Sequence, residues 1–180
     1  MPKSVSSLNK KILLIVFIIL LIILIGATLR LPTEQTHIPL SPISPTSTII
    51  REKAKVAFVY DGDTIELTDG RKVRYIGIDA PERGSNKVKG DCFGQEAFEI
   101  NKSLVAGQTI EMEKNLDDLD KYGRILRYIW VDDVFINEFL VRQGYAKIMK
   151  IPPDTKYAKQ LEEVEIEARE GKRGIWGKCK

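Results

Sequence analysis

Apolar residues are distributed in two different ways along this chain. From Ile12 to Leu29 they form one stretch of eighteen residues without a charge, whereas after residue 50 they alternate with polar residues in short runs. At about 1.5 Å of rise per residue, the first stretch would be about 27 Å long as a helix, close to the roughly 30 Å hydrocarbon core of a bilayer. The first pattern therefore predicts a membrane-spanning helix, and the second predicts a folded domain.

The apolar stretch has two other interpretations. A buried core helix is disfavoured, because a helix that is apolar on every face at the N-terminus of a chain of this size has little protein to pack against. A cleaved signal peptide usually has an apolar region of about 7 to 15 residues followed by a small-residue cleavage site, which Gly26-Ala27-Thr28 imitates poorly. We therefore favour a retained anchor at residues 12–29, with a cleaved signal segment as the alternative.

Basic residues predict the orientation of this segment. Lys3, Lys10 and Lys11 precede it, and only Arg30 closely follows it. Because positive charge is retained on the cytoplasmic side, residues 1–11 are expected in the cytoplasm and the residues after the span outside it. The chain would then be a single-pass membrane protein, or a secreted protein if the segment is cleaved. Residues 30–52 are rich in Pro, Ser and Thr, which predicts a semi-rigid linker.

The alternating pattern after residue 50 predicts an α+β domain with a mainly β core. The expected strands are Val56–Tyr60, Thr64–Thr68, Lys72–Ile78, Thr109–Glu113 and Ile125–Val131. The expected helices are Phe93–Val105, Ile136–Arg142 and Lys156–Glu170. This order is compatible with a closed five-stranded OB-type barrel, although SH3-like barrels and open sheets share the pattern.

Net charge does not identify the partner of this domain. The chain carries a formal charge of +3, which would suit a nucleic-acid-binding protein. The residues before position 51 contribute the whole excess, so residues 51–180 carry 24 basic and 24 acidic side chains. Only the local placement of charge is therefore informative.

Two short segments place carboxylates near arginines. The first comprises Asp61-Gly62-Asp63-Thr64 and the run from Arg74 to Glu82, and the second runs from Asp120 to Arg124. Hard cations prefer oxygen ligands, and arginine binds phosphate in a bidentate manner, so this combination indicates phosphodiester chemistry. The only histidine, His37, lies in the predicted linker, so any mechanism has to work without imidazole.

These segments resemble the staphylococcal nuclease (thermonuclease) family. The resemblance runs in order over about residues 53–177 and also includes Asn137-Glu138, Leu140 to Gly144, and Gly174-Ile175-Trp176. It implies an OB-fold barrel with three helices and a calcium-dependent endonuclease that acts on DNA and/or RNA. We also expect a monomer.

The resemblance implies a calcium site built from Asp63, Asp79 and the backbone carbonyl of Ala80. Two carboxylates and a carbonyl suit the flexible oxygen coordination of calcium and leave room for water and a substrate oxygen. Such a set discriminates weakly among cations, so magnesium or manganese remains an alternative. Ala80 replaces a threonine that is frequent in the family, which matters little if only the carbonyl binds metal.

The catalytic roles implied by the resemblance fall on Arg74, Glu82 and Arg124. Glu82 would activate the attacking water, because the domain has no histidine to act as a base. Arg74 and Arg124 would bind the phosphate and stabilise the charge that develops in the transition state. The alternative function is a non-catalytic nucleic-acid-binding module on the same fold.

Other polar residues have simpler interpretations. Asp61 and Asp69 precede glycines and are typical turn formers. The acidic residues at 117, 118 and 120 suggest a solvated loop more than a second metal site. Asn101-Lys102-Ser103 fits a glycosylation sequon but lies within a predicted helix. In an oxidising compartment, Cys92 and Cys179 either form one disulfide or remain two unpaired residues.

The short hairpin raises a geometric question about the metal ligands. A strict two-residue turn at Asp69-Gly70 would place Asp63 opposite Ile76 and point Asp79 to the other sheet face. The two carboxylates then meet only if the chain bends near Gly77 or the loop is one residue longer.

The predicted base pocket departs from the family. Where the family carries two tyrosines, this chain reads Met149-Lys150-Ile151-Pro152-Pro153. Loss of base stacking would cost roughly 1 to 3 kcal/mol per base. Lys147 and Lys150 are candidates for replacing it with phosphate contacts.

Overall fold

A five-stranded barrel forms the centre of this computed structural model, which describes residues 50–85 and 88–180. In chain order the described strands are β1 (Glu52–Val59), β2 (Thr64–Leu67), β3 (Lys72–Tyr75), β4 (Ile78–Asp79), β5 (Thr109–Glu113), β6 (Ile125–Val131), β7 (Val134–Phe135) and β8 (Lys147–Ile148). The helices are α1 (Gly94–Val105), α2 (Ile136–Arg142), α3 (Ala158–Glu170) and α4 (Ile175–Lys178).

Strand pairing closes the barrel. β1 pairs antiparallel with both β2 and β5, β2 pairs with β3, and β5 pairs with β6. A parallel pairing between β3 and β6 joins the two ends of this sheet. The predicted five-stranded OB-type barrel is therefore confirmed. The short strands β4 and β8 form a separate two-stranded sheet, which the sequence did not predict.

The β2–β3 hairpin loop is one residue longer than a strict two-residue turn. The Leu67 N–H donates to the Arg71 carbonyl at 2.9 Å, and Gly70 adopts φ +85° between them. Glycine reaches this left-handed conformation without steric cost. The register therefore places Thr64 opposite Arg74, and the Asp63 carbonyl accepts from the Tyr75 N–H at 3.0 Å.

The chain also bends at Gly77, so the prediction of one continuous strand over Lys72–Ile78 is wrong at its end. Gly77 has φ +80°, and β4 leaves the barrel to pair with β8. Buried Asn137 donates from Nδ2 to the Ile76 carbonyl at 2.8 Å and stabilises this bend. The longer loop and the bend together allow Asp63 and Asp79 to meet, and both carboxylates contact Arg74.

Most buried apolar residues of the barrel and helices form one core, and Ile76, Tyr128 and Trp130 form a second, smaller cluster. The largest fully buried apolar side chains include Ile65, Leu67, Ile110, Met112 and Ile129 from the barrel and Ile136, Leu140 and Leu161 from the helices. Helices α2 and α3 pack against each other. Because a fully buried side chain of this size contributes about 1.5 to 3 kcal/mol, the core holds the strands that carry the site in fixed register.

The three predicted helices are confirmed, with α3 beginning at Ala158 rather than Lys156. The short helix α4 was not predicted. Among residues 50–85 and 88–180, no helix is long and apolar enough to cross a membrane. The predicted anchor at residues 12–29, the cytoplasmic segment 1–11 and nearly all of the linker lie outside the described residues.

A disulfide joins Cys92 to Cys179, so of the two interpretations of the cysteines the bridge is confirmed. It connects the residues just before α1 with the residue that follows α4, across 87 positions of sequence. The Asn101 side chain is fully buried in α1, so its amide is not accessible for glycosylation in the folded domain.

Candidate active site

Asp63 is a buried carboxylate at the start of β2. It is only 4% exposed, and its Oδ2 accepts from the Ala80 N–H at 2.6 Å and pairs with Arg74 Nη1 at 2.7 Å. Its Oδ1 accepts from the Thr64 hydroxyl at 3.0 Å. Burial raises the pKa of Asp63 despite the opposing charge of Arg74, and the nearby charge of Asp61 adds to the rise.

Arg74 connects Asp63 and Asp79, the two carboxylates that the family resemblance implies as metal ligands. Its Nη2 donates to Asp79 Oδ1 at 2.8 Å, while its Nη1 contacts Asp63 and also donates to the Ile78 carbonyl at 3.0 Å. The Arg74 side chain is 12% exposed. One guanidinium therefore fixes the residue that precedes β2 against β4, so that Asp63 and Asp79 both lie within ion-pair distance of Arg74.

Asp79 and Ala80 lie where β4 leaves the barrel. Pairing of Asp79 with Lys147 of β8 fixes the backbone of this segment. The Asp79 side chain remains 49% exposed, in contrast to Asp63. Ala80 contacts Asp63 through its N–H. The site thus combines one buried and one accessible carboxylate.

The donor set fits a hard cation held partly by water. No group of three or more His, Cys, Asp or Glu side chains that could hold a metal occurs in the described ranges 50–85 and 88–180. Two carboxylates with backbone and water oxygens nevertheless match the preferences of calcium. Arg74 offsets only part of the burial cost of the Asp63 charge, since the pKa stays raised, and an adjacent cation would offset more.

Glu82 follows the carboxylate pair and lines a cleft. Partial desolvation raises the pKa of Glu82, and the charge of Asp61 raises it further, while Arg74 lowers it. The cleft has a volume of about 440 Å³. Its lining includes Asp79, Ala80, Pro81 and Glu82 together with Lys147, Trp176 and Cys179. An acidic group therefore faces a space large enough for part of a substrate.

Arg124 is held by Asp120 rather than by the carboxylates of the site. Its Nε and Nη2 each lie 2.7 Å from Asp120 Oδ2, and its N–H donates to Oδ1 at 3.0 Å. In the parallel β3–β6 pair, Arg74 is opposite Leu126. Arg124 directly precedes β6, so it lies near the edge of the sheet beside β3. Within the described residues its side chain forms its ion pair with Asp120 and not with Asp63, Asp79 or Glu82.

Two supporting residues were missed by the sequence reasoning. The Thr64 hydroxyl donates to Asp63, and Asn101 donates to the Asp61 carbonyl at 2.9 Å while accepting from the Tyr75 hydroxyl at 3.0 Å. A signal for Asn101 existed, because it falls on the same helix face as buried Ala97. Asp61 itself accepts from the Asp63 N–H at 2.9 Å, as a turn former does.

The acidic loop before β6 is stabilised by arginines. Asp118 pairs with Arg127 at 2.8 Å, which lowers the pKa of Asp118, and Asp120 pairs with Arg124. The Asp118 side chain is 53% exposed. These contacts support the loop interpretation over a second metal site.

The two lysines near the altered base pocket differ in their surroundings. Lys150 forms an ion pair with Glu162 of α3. Lys147 lines the cleft, with its Nζ 5.6 Å from the centre of the Trp176 ring. Lys147 is therefore the better placed of the two for a substrate phosphate.

Comparison with known proteins shows the family of this chain. A family profile described as staphylococcal nuclease homologue matches residues 72–178. The thermonuclease of Staphylococcus intermedius is 34% identical over 139 residues, which are 75% of this chain and 83% of that protein. Endonuclease YncB of Bacillus subtilis (strain 168) is 37% identical over 123 residues, which are 66% of this chain and 58% of that protein. The chain therefore belongs to the staphylococcal nuclease family, and it is a hydrolase of the nuclease class.

Proposed function

We propose that this chain is a calcium-dependent nuclease that hydrolyses phosphodiester bonds of DNA and/or RNA. The observation that carries the proposal is the contact of one guanidinium, Arg74, with both Asp63 and Asp79 beside Glu82 at an open cleft. Carboxylates, an acid–base group and a phosphate-binding arginine then meet at one place.

Asp63, Asp79 and the Ala80 carbonyl are the groups that would hold calcium. When bound, the ion supplies polarisation of a phosphoryl oxygen and relief of negative charge. The half-exposed Asp79 carboxylate faces incoming ligands more openly than Asp63, which is fixed by Thr64 and Ala80. Asp63 would therefore be the ligand with a fixed position, and Asp79 would be the ligand that is more accessible to an incoming ion.

Glu82 is the proposed base. Its raised pKa increases its affinity for a proton relative to an ordinary glutamate, which improves acceptance of the proton from an attacking water near neutral pH. The proton then resides on the Glu82 carboxylate while the water oxygen bonds to phosphorus. The bond from phosphorus to one ester oxygen breaks, and this oxygen leaves with its part of the nucleic acid and takes up a proton from solvent.

The two arginines are proposed to bind the phosphate during this attack. Arg74 and Arg124 both donate to carboxylates, and a phosphate competes for the same charge-assisted donors. Arg124 is the more accessible, at 27% exposure against 12%. Loss of one such donor typically costs about 2.7 to 4 kcal/mol in the transition state.

Substrate contacts outside the reacting phosphate are proposed for Lys147 and Tyr122. Tyr122 is 71% exposed, and the guanidinium of Arg124 lies 5.5 Å from the centre of its ring. An exposed aromatic ring next to a phosphate-binding arginine suits stacking of a single-stranded base. A monomer anchored in the cell membrane by residues 12–29 remains part of the proposal, and the Cys92–Cys179 disulfide supports an oxidising, extracytoplasmic location.

Cleavage of single-stranded DNA and RNA by the full-length chain in mild detergent tests the proposal, first with calcium and then with excess chelator. Glu82→Ala is expected to lower turnover at least about a hundredfold, in line with loss of a general base. Near-normal turnover in folded Glu82→Ala would refute the catalytic assignment. Binding without cleavage in the unmodified chain with calcium would favour a non-catalytic binding module.

A further inference from the structure

The segment Asp79–Glu82 is held at both ends by carboxylates from other parts of the chain. At one end, the Ala80 N–H donates to Asp63 Oδ2 at 2.6 Å. At the other, the Glu82 N–H donates to Asp91 Oδ2 at 3.2 Å, and the Asp91 N–H donates back to the Glu82 carbonyl at 2.9 Å. Asp63 therefore fixes the metal-binding end, and Asp91 fixes the end that carries the proposed base.

The start of α1 packs directly on Glu82. A Cβ atom on Gly94 would lie 2.1 Å from the Glu82 carbonyl oxygen and 2.7 Å from its carbonyl carbon, so only glycine permits this approach. The Gly94 N–H donates to the Asp91 carbonyl at 3.1 Å. The backbone position of Glu82 thus depends on the turn formed by residues 91–94.

The disulfide ties this turn to the opposite wall of the cleft. Cys92 follows Asp91 directly, and its partner Cys179 follows α4. Helix α4 is itself fixed, because Ile175 is buried and its N–H donates to the Gly144 carbonyl at 2.9 Å. Both cysteines line the cleft that Glu82 faces. The bridge therefore limits movement of the turn relative to the cleft wall.

We propose that the turn of residues 91–94, fixed by the Cys92–Cys179 disulfide, positions Glu82 for catalysis, so that turnover depends on the oxidation state of this cysteine pair. The inference rests on the proposed role of Glu82 as the base. Opening the bridge takes two electrons and two protons from an external dithiol, which is oxidised to its own disulfide, and leaves two thiols. Asp91, Cys92 and Cys179 are positioning residues, because they act through Glu82.

The proposal separates turnover from metal binding. Asp63 and Asp79 are held by Arg74. In the part of the chain that the structure describes, the other side-chain hydrogen bonds of Arg74 go to the carbonyls of Tyr75 and Ile78 and not to the turn. Opening the bridge is therefore expected to move Glu82 while leaving the metal-binding carboxylates in place. A displacement of about 1 Å in a reacting group lowers rates by as much as about a hundredfold.

Steady-state cleavage of a single-stranded oligonucleotide by the full-length chain in detergent tests this inference at a temperature where every variant is folded. We expect Cys92→Ala/Cys179→Ala, and the unmodified chain reduced with dithiothreitol, to lose at least about fivefold in kcat through misplacement of Glu82. KM and the calcium concentration for half-maximal activity should stay within about twofold, because phosphate and metal contacts are unchanged.

Asp91 provides a test that leaves the disulfide in place. Asp91→Ala removes the acceptor for the Glu82 N–H and should lower kcat like the cysteine variant, whereas Asp91→Asn keeps an acceptor oxygen and should retain most of kcat. Arg142→Ala is the matched stability control, since it breaks ion pairs with Glu138 and Glu167 away from the turn. It should lower Tm without lowering kcat.

The outcomes are distinguishable from those of the proposed function. If Glu82→Ala is inactive but the cysteine variant and Asp91→Ala both keep the unmodified kcat, the positioning inference is wrong and the proposed function stands. If Glu82→Ala keeps the kcat of the unmodified chain, the role of Glu82 in the proposed function is wrong, and the positioning inference that rests on it is wrong as well. If the cysteine variant does not fold, Asp91→Ala against Asp91→Asn decides, and equal kcat values for these two overturn the inference.

Discussion

Replacing Arg124 with alanine separates the contribution of this side chain to stability from its proposed contribution to catalysis. Within residues 50–85 and 88–180, the guanidinium forms hydrogen bonds and an ion pair with the Asp120 carboxylate alone and lies beside the Tyr122 ring. The backbone N–H groups of Tyr122 and Arg124 continue to donate to Asp120 after the substitution, at 2.9 and 3.0 Å. Asp120 is therefore not left without partners, and the loss of a partly exposed ion pair should cost about 0.2 to 1 kcal/mol.

The expected loss in catalysis is larger. Removing one donor to the developing charge costs about 2.7 to 4 kcal/mol, which corresponds to a fall in kcat of about a hundredfold to a thousandfold. The stability loss would shift Tm by no more than about 4 °C for a domain of this size. Arg124→Lys keeps the charge but loses bidentate geometry, so its kcat should lie between those of the unmodified chain and Arg124→Ala.

Arg71→Ala is the matched control for this substitution. Arg71 also bridges carboxylates, Asp69 and Glu52, in a partly exposed setting, but on the hairpin loop at the far end of β2 and β3 from Asp63 and Tyr75. Both variants should lose similar stability, measured by thermal unfolding in chelator, whereas only Arg124→Ala should lose turnover with calcium. Equal turnover for the two arginine variants would refute the role given to Arg124.

Three further predictions address the metal, the core and the loop. Calcium at about 100 times its Kd should raise the free energy of unfolding of the unmodified chain by about 2.7 kcal/mol, or its Tm by about 10 °C. The rise should be much smaller in Asp63→Asn. An equal rise in both proteins would argue against Asp63 as a ligand. Leu140→Ala should lower the free energy of unfolding by about 2 to 5 kcal/mol in urea denaturation, because Leu140 is fully buried. Pairing with Arg127 lowers the pKa of Asp118 in the folded protein. The pairing therefore stabilises the fold above the unfolded pKa of this carboxyl group, and this stabilisation is lost as pH falls through its folded pKa. Asp118→Asn should accordingly show a smaller drop in Tm under acid than the unmodified chain.

Much of the fold was predictable because its elements have strong local periodicity. The barrel strands and the three longer helices carry clear alternation or helical spacing, and their apolar faces meet in one core. The end of β3 was not predictable from alternation, because the chain bends away from the barrel at Gly77 and two contacts with distant residues stabilise this bend. One is the Asn137 side chain on the Ile76 carbonyl, and the other is the pairing of β4 with β8.

The sequence allows the candidate site residues to be named, but it does not give their geometry. Arg74, Asp79 and Glu82 lie within nine positions of one another, so a short motif identifies them. Their arrangement depends on the conformation of Gly70 and on the Asp63–Ala80 hydrogen bond, which follow from register and tertiary packing. Asp91 gives no signal of its own in the sequence, because a single aspartate before a helix is typical of many helix starts.

The division of the cleft between distant parts of the chain suggests how chemistry and substrate preference are separated in this protein. One wall of the cleft comes from Asp79 to Glu82 and from the adjoining turn at Asp91 and Cys92, while the opposite wall comes from Lys147 and the segment around α4. Substitutions of Asp79 or Glu82 in the first wall should lower kcat, because these two groups are proposed to act at the reacting phosphate. Substitutions in the second wall, such as Lys147→Ala, should act mainly on KM, because they change contacts that are similar in the ground state and the transition state. The disulfide is the covalent link between these walls, so it is also the point where a change in the second wall reaches the proposed base.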